Sequence, residues 1–362
     1  MTISGLWVAA WAALIWLSAP LLPALRNYLN ERAAGGFDRY VAAGLIAASA
    51  VVVGLVWARR RGDRLLALGE LALVAAGFAA IYAWLASPDP RSHLVEAAHF
   101  AEYGVLAVLA FASLRRLSTL SRWVQTLFLI VAVGLVDEAI QWALASRVAE
   151  IRDVALNAAA GGLGLVYAGW VLRPVFGNEE TRSTGSRGEL RRMATVGAVL
   201  LPALAGFLYV VHLGYWIRWD DVEFVSQYRD LDRVGEDRRL RWSSWSEAER
   251  SRLLRPGEAL WALEDFYVTE ARRHIQARNE AAERGDSHAA TGENLIVARW
   301  FTPYLDVARA ERSDLSLQLD GSYRSRVMAH LWPALGSPAA WGSFIAAELV
   351  LVGLAVFFGS RA

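Results

Sequence analysis

The chain alternates long apolar runs with short charged interruptions, and the apolar runs are too long for a soluble core. About 20 consecutive apolar residues cross the hydrocarbon of a bilayer, and windows of that kind recur about eight times along the chain. They fall at residues 5–25, 40–57, 65–85, 91–114, 123–144, 154–172, 193–217 and 339–359. Residues 5–25 lack the basic stretch that precedes the apolar core of a cleaved signal peptide, which makes them a retained helix. Between the last two windows the pattern changes. From 218 to 338 apolar residues are spaced as in amphipathic helices, with Leu260, Leu263, Tyr267, Ala271 and Ile275 on one face of a stretch opening at Pro256 and Gly257. That stretch ends near Gly285; a second follows at 295–310 with Trp300, Phe301 and Tyr304, and a third at 324–332. Trp242, Trp245 and Trp261 add bulk, and about 120 residues suffice for one small helical core.

Charge gives the pattern a direction. Arg59, Arg60, Arg61 and Arg64, then Arg115, Arg116 and Arg122, then Arg182, Arg187, Arg191 and Arg192 occupy alternate loops. Positive charge in short loops marks the cytoplasmic side. Both termini are then expected in the cytoplasm and residues 218–338 outside it. The first external loop, with Arg26, Arg32 and Arg39 against Glu31 and Asp38, is a mild exception.

Against this apolar background a few polar residues stand where lipid tolerates none. Ionisable groups at membrane depth are costly and mark functional sites. The fourth window carries His99, Glu102 and Tyr103, the fifth Asp137, Glu138 and Gln141, the sixth Asp153 and Asn157. Their i,i+3 and i,i+4 spacings put each set on one helix face, and the alternating topology brings all of them to the outer end of one bundle. Arg147 lies in the loop between the fifth and sixth windows, backed by Arg152, and its planar fork suits a phosphate or carboxylate. Gly161 and Gly164 continue down the sixth window, where small residues let helices approach closely. Such a cluster can recognise an anionic headgroup, or exchange protons between His99, Glu138 and a lipid-linked substrate. It can also simply lock the helices together through a buried polar network. His99 with the carboxylates lacks a compact ligand pair such as H-E-x-x-H, so no metal is assigned. No nucleophile stands beside a base, and no cofactor motif is present.

The order HF-x-E-Y, D-E-x-x-Q and R-x(5)-D-x(3)-N-x(3)-G resembles the VanZ-like family of bacterial membrane proteins over about residues 80–172. The matching positions are His99 and Tyr103, Asp137, Glu138 and Gln141, Arg147, Asp153, Asn157 and Gly161. Family members often carry Lys three residues before the histidine, where this chain has Glu96, and are commonly near four helices long. The resemblance implies a cell-envelope role; the family is associated with resistance to the glycopeptide teicoplanin.

Composition removes several alternatives. A net charge of +1 gives no footprint for nucleic acid. With no cysteine there are no disulfides or thiolate metal sites. Every basic residue is Arg, so Schiff-base and lysine-nucleophile chemistry is excluded. Glu270, His274 and Arg278 have i,i+4 spacing and read as a solvated, salt-bridged helix face. His288 and His330 are isolated, and the glycines of the 177–188 linker have no strand-turn-helix context for a phosphate loop.

The sequence therefore predicts an all-α, polytopic membrane protein of about eight transmembrane helices with a small helical extracytoplasmic domain. Its expected parts are helices 1–3 in residues 1–86, a VanZ-like core in 87–173, a cytoplasmic linker in 174–192 and a seventh helix in 193–217. The extracytoplasmic domain then occupies 218–338 and the last helix 339–362. The expected setting is the bacterial inner membrane. The expected function is non-enzymatic binding of a membrane lipid, a lipid-linked glycan or a glycopeptide at the outer end of the polar-lined core. A structural or accessory subunit of a larger membrane complex is the first alternative. A membrane-embedded enzyme acting on a lipid-linked substrate is the second.

Overall fold

The computed structural model describes residues 3–32, 36–59, 62–85, 93–144, 151–172, 186–235, 266–301, 314–327 and 338–359. The apolar runs become helices: α1 (Ile3–Arg32), α2 (Gly36–Arg59), α3 (Arg64–Leu85), α4 (His93–Ser113), α5 (Thr119–Ala143), α6 (Ile151–Val166) and α7 (Arg187–Leu213). Helix α6 continues into a π-helical turn at Tyr167–Val171. Seven described helices are long and apolar enough to cross a membrane, counting the last helix, Pro338–Gly359, and excluding α4. In α4 the described apolar stretch is Ala97–Ser113, and it carries His99 and Glu102. Among the described residues, the eight apolar windows of the sequence correspond to these seven helices and the α4 stretch.

The chain divides into two compact units. The first comprises Met1–Gln141, Ala149–Phe207 and Pro338–Ala362. Its core is built where α1, α4, α5 and α6 meet, from Ile15, Tyr103, Leu106, Phe111, Ile130 and Leu165. Small residues set the spacing. A Cβ on Gly164 would lie 2.6 Å from the Cα of Gly104 on α4, and one on Gly161 would lie 2.4 Å from Ile130 Cγ2 on α5. Helix α1 is tied in by two indoles at bilayer depth. Trp11 Nε1 donates to the Glu102 carbonyl at 2.8 Å, and Trp16 Nε1 to the Val133 carbonyl at 3.1 Å. At the start of α7, Glu189 accepts from the hydroxyls of Ser118 and Ser121 at 2.5 and 2.9 Å, which pins α7 to the α4–α5 loop.

The second unit comprises Trp142–Val148 and Leu208–Ser337, and it is not helical alone. Strand β1 (Tyr215–Trp219) pairs antiparallel with β2 (Val222–Ser226), and β2 pairs in parallel with the short β3 (Tyr323–Arg324). Residues 215–217, expected at the end of the seventh span, belong to this sheet. Their side chains alternate between half-buried and exposed, the period-2 signature of a strand. Helix α8 (Phe266–Glu283) and helix α9 (Ser287–Ile296), extended by a π-helical turn at Val297–Phe301, pack on the sheet. The α8–α9 corner follows from two residues. Gly285 takes φ +72, a conformation that favours glycine. Asp286 caps α9 by accepting from Ala289 N at 3.0 Å. The core holds Phe224, Tyr228, Tyr267, Ile296, Trp300, Phe301 and Tyr323. Of the helical stretch expected at 324–332, Arg324 belongs instead to a strand; 256–265, 302–313 and 328–337 lie outside the described residues. The last helix, α10 (Pro338–Gly359), belongs to the first unit.

Candidate functional site

The polar residues of α4 and α5 converge. Tyr103 is fully buried and donates from its hydroxyl to Asp137 Oδ2 at 3.2 Å. Gln141, one turn along α5, donates from Nε2 to Glu138 Oε1 at 3.2 Å and reaches Asp137 Oδ2 at 3.5 Å. Asp137, Glu138 and Gln141 are all buried. At the half-buried edge, His99 Nδ1 lies 3.8 Å from Glu102 Oε2, and the His99 ring stacks on Tyr103 with centroids 6.2 Å apart. The arrangement is graded: an edge with an ionisable pair leads into an interior where a tyrosine and an amide donate to carboxylates.

Asn157 on α6 is the exception to this closure. It is 1% exposed, yet neither its Oδ1 nor its Nδ2 has a hydrogen-bond partner among the described residues. A buried primary amide left this way loses its hydration without replacement, which costs about 1–3 kcal/mol. Gly134 on α5 gives it room. A Cβ there would stand 3.3 Å from Asn157 Cβ and 3.6 Å from Tyr103 Cε1. Asp153, one turn earlier on α6, is half-buried. Arg147 lies outside the described residues, as does the side chain of Arg152. Among the described residues no group of three or more His, Asp or Glu is arranged to hold a metal ion.

Sequence reasoning did not pick out Trp11, Trp16 or Gly134, all of which shape this site. The two tryptophans carried a signal, since an indole N–H in the middle of an apolar helix needs an acceptor. Gly134 carried none, because its neighbours come from other helices.

In the second unit one sequence expectation is overturned. Glu270, His274 and Arg278 are not a solvated face; they are 3%, 0% and 0% exposed. Their partners come from elsewhere in the unit. His274 Nδ1 lies 2.6 Å from Glu293 Oε2 on α9, and Glu293 Oε1 accepts from Tyr323 and Ser325 at 2.7 and 2.5 Å. Arg278 Nη1 donates to Asn294 Oδ1 at 3.2 Å, and Glu270 Oε2 accepts from the Gln227 backbone N–H at 3.1 Å. Helix α8 is buried on two sides, one apolar and one polar, and the second is hidden from the sequence because its partners lie far along the chain. His288, in contrast, is exposed, with Nε2 3.3 Å from the Ser322 carbonyl. His330 is outside the described residues.

Residues 46–172 match a family model described as VanZ/LLP1. The match opens within α2 and takes in all of α3, ahead of the polar positions that carried the resemblance in sequence. No curated protein and no solved structure matches the chain.

Proposed function

We propose that this multi-pass membrane protein, which contains a VanZ/LLP1 family domain at residues 46–172, is a non-enzymatic envelope protein. In this reading it holds the polar headgroup of a lipid or lipid-linked envelope component in its polar-lined core. The observation that carries the reading is Asn157, buried with both polar side-chain atoms unpartnered beside the joined Tyr103–Asp137–Gln141–Glu138 set. A headgroup bearing hydroxyls or phosphate oxygens would satisfy that amide, which can donate and accept at once. His99 and Glu102, half-buried at the edge, give a ligand its first polar contacts. Arg147, by its place in the sequence between Gln141 and Asp153, supplies the positive charge for an anionic group. Its fork binds phosphate in a bidentate geometry that lysine does not reproduce.

The test is native mass spectrometry of the purified protein beside a melting curve. Wild type is expected to retain a lipid or glycolipid that Asn157→Leu and Arg147→Lys lose while melting near the wild-type temperature. The same bound species in all three proteins would overturn ligand binding and leave a structural network. A second reading, an accessory subunit of a larger complex, is favoured by one observation. Among the described residues, none of the α10 span is buried, and Ile345, Leu349, Val350, Val356 and Phe357 are exposed along it. A stoichiometric protein partner that survives purification and is lost on substitution of those residues would support it.

A further inference from the structure

The second unit includes the ends of two membrane helices. Trp142, in the last turn of α5, and Leu208–Leu213, the last turns of α7, belong to it together with the sheet. The apolar spans of α5 and α7 close at Ala143 and Val211, and Tyr209, Val210 and Leu213 are exposed beside the second of these. Tyr215 opens β1 after the single residue Gly214. Its ring stacks on that of Trp142 with centroids 5.1 Å apart, and its hydroxyl donates to the Trp142 carbonyl. A tryptophan and a tyrosine at the ends of apolar helices mark the level where hydrocarbon gives way to headgroups. Tyr215 pairs with Ser226, so the Tyr215–Ser226 end of the sheet is its membrane end.

Side chains alternate between the two faces of a sheet. Val222, Phe224 and Tyr323 turn into the core. The opposite face carries Trp216, and beyond it Arg218, Glu223 and Arg324 in one row across the three strands. Ser325 N donates to the Glu223 carbonyl at 2.8 Å, and exposed Arg326 follows exposed Arg324 on that face. Trp216 is 56% exposed, and the Arg324 guanidinium carbon lies 4.1 Å from its ring centroid. Arg218 pairs with Glu223, yet its side chain stays 77% exposed. Because β3 runs parallel to β2, it heads towards Ser226 and the membrane end, which carries Arg326 in that direction.

The face is therefore polarised. Arg324, Arg326 and the Trp216 ring lie towards the membrane, while the exposed Asp220 and Asp221 form the turn at the far end of β1 and β2. Three arginines stand against the single Glu223, and exposed Arg229 adds a further positive field at Tyr215. Trp216 is three residues past the end of α7, so at most about 11 Å of backbone separates it from Leu213. The headgroup layer is about 5–8 Å deep on each side of the hydrocarbon, which the indole and the arginine side chains can reach. We propose that this sheet face is a lipid-binding surface: Trp216 sits among the headgroups, and Arg324 and Arg326 bind the phosphate of an anionic phospholipid in the leaflet where α7 ends. A guanidinium resting on an indole is held in place by the ring and keeps N–H donors at its edge for a charge-assisted bond to phosphate. The surface uses neither Asn157 nor Arg147, so it is separate from the headgroup site proposed for the polar core.

Native mass spectrometry of the detergent-solubilised full-length protein, titrated with phosphatidylglycerol or with phosphatidylcholine of the same acyl chains, tests this. Wild type is expected to prefer phosphatidylglycerol. The double variant Arg324→Gln, Arg326→Gln is expected to lose about fivefold of that preference for each arginine removed. Arg284→Gln removes the same charge from an exposed position at the α8–α9 corner and is expected to keep the preference. On an Asn157→Leu background the difference between the two arginines and two glutamines is expected to be unchanged, which keeps this result apart from the core site. An unchanged preference in the double variant, or an equal loss in Arg284→Gln, overturns the proposal. So does displacement of phosphatidylglycerol by an equal concentration of inorganic phosphate. If the double variant fails to fold, spin labels decide, because the chain has no cysteine and an introduced one takes a single label. In lipid nanodiscs a nitroxide on Trp216→Cys is expected to be relaxed by a nickel-chelating lipid, and one on Asp221→Cys by a water-soluble nickel chelate. Equal relaxation of both labels by the water-soluble chelate overturns the proposal.

Discussion

Asp137 accepts from both Tyr103 and Gln141, so removing it takes away the acceptor of the buried Tyr103 hydroxyl and leaves Gln141 Nε2 with Glu138. Asp137→Ala is expected to cost about 1–3 kcal/mol and to lower the melting temperature of the detergent-solubilised protein. Glu283→Ala, at an exposed residue of α8, is expected to melt with wild type. At this scale the sequence was a good guide to which residues mattered in the membrane and a poor one to those outside it. A charged group among apolar residues stands out wherever lipid is the solvent, so His99, Asp137 and Glu138 were visible at once. Glu270, His274 and Arg278 carry the same chemistry in a segment full of charge, where nothing local separates a buried face from a wet one. Their burial is decided by Glu293, Asn294, Tyr323 and Ser325, and spacing along one helix cannot report that.

At the scale of elements, close packing of α6 rests on positions where a side chain has no room. A valine at Gly164 would place its Cβ against the Gly104 backbone of α4, and backbone cannot step aside as a flexible side chain can. Gly164→Val is expected to destabilise the protein by about 1–3 kcal/mol, the usual range for overpacking. Gly162→Ala is the control, since a Cβ there meets nothing within 4 Å; comparative melting curves read both. In the second unit Gly292→Ala would drive a Cβ to 2.1 Å from the Tyr323 ring, beside the Glu293–Tyr323 hydrogen bond. Loss of protection confined to 287–301 and the residues near 323 is the expected signature in hydrogen exchange. The helices were legible because twenty apolar residues in a row admit few other structures. Strand β1 was not, because its aromatic, alternating run Tyr215–Trp219 follows α7 after the single residue Gly214 and reads as a continuation of the same apolar stretch.

For the whole molecule, the arginine-rich loops lead us to expect the second unit outside the cytoplasm by the positive-inside rule. A reporter active only in the cytoplasm, inserted at the exposed Gly285 corner, is expected to stay silent, while one inserted after Arg116 is expected to be active. The reverse pattern would invert the topology and move the polar cluster to the opposite leaflet. The parallel pairing of β2 with β3 adds a constraint in time. Val222 stands opposite Tyr323, so the sheet closes across about a hundred residues, a contact whose loop entropy must be met before it returns any stability. During synthesis the β1–β2 hairpin and the α8–α9 corner emerge well before Tyr323 and Ser325, the two hydroxyl donors to Glu293. Until those residues arrive, Glu293 has only the His274 ring as a partner, and β2 presents an open sheet edge. A chain ending near residue 314 is therefore expected to be protease-sensitive throughout 215–301, and one extended past residue 327 to gain protection in a single step. Assembly of this unit is a late event, completed by its last short strand.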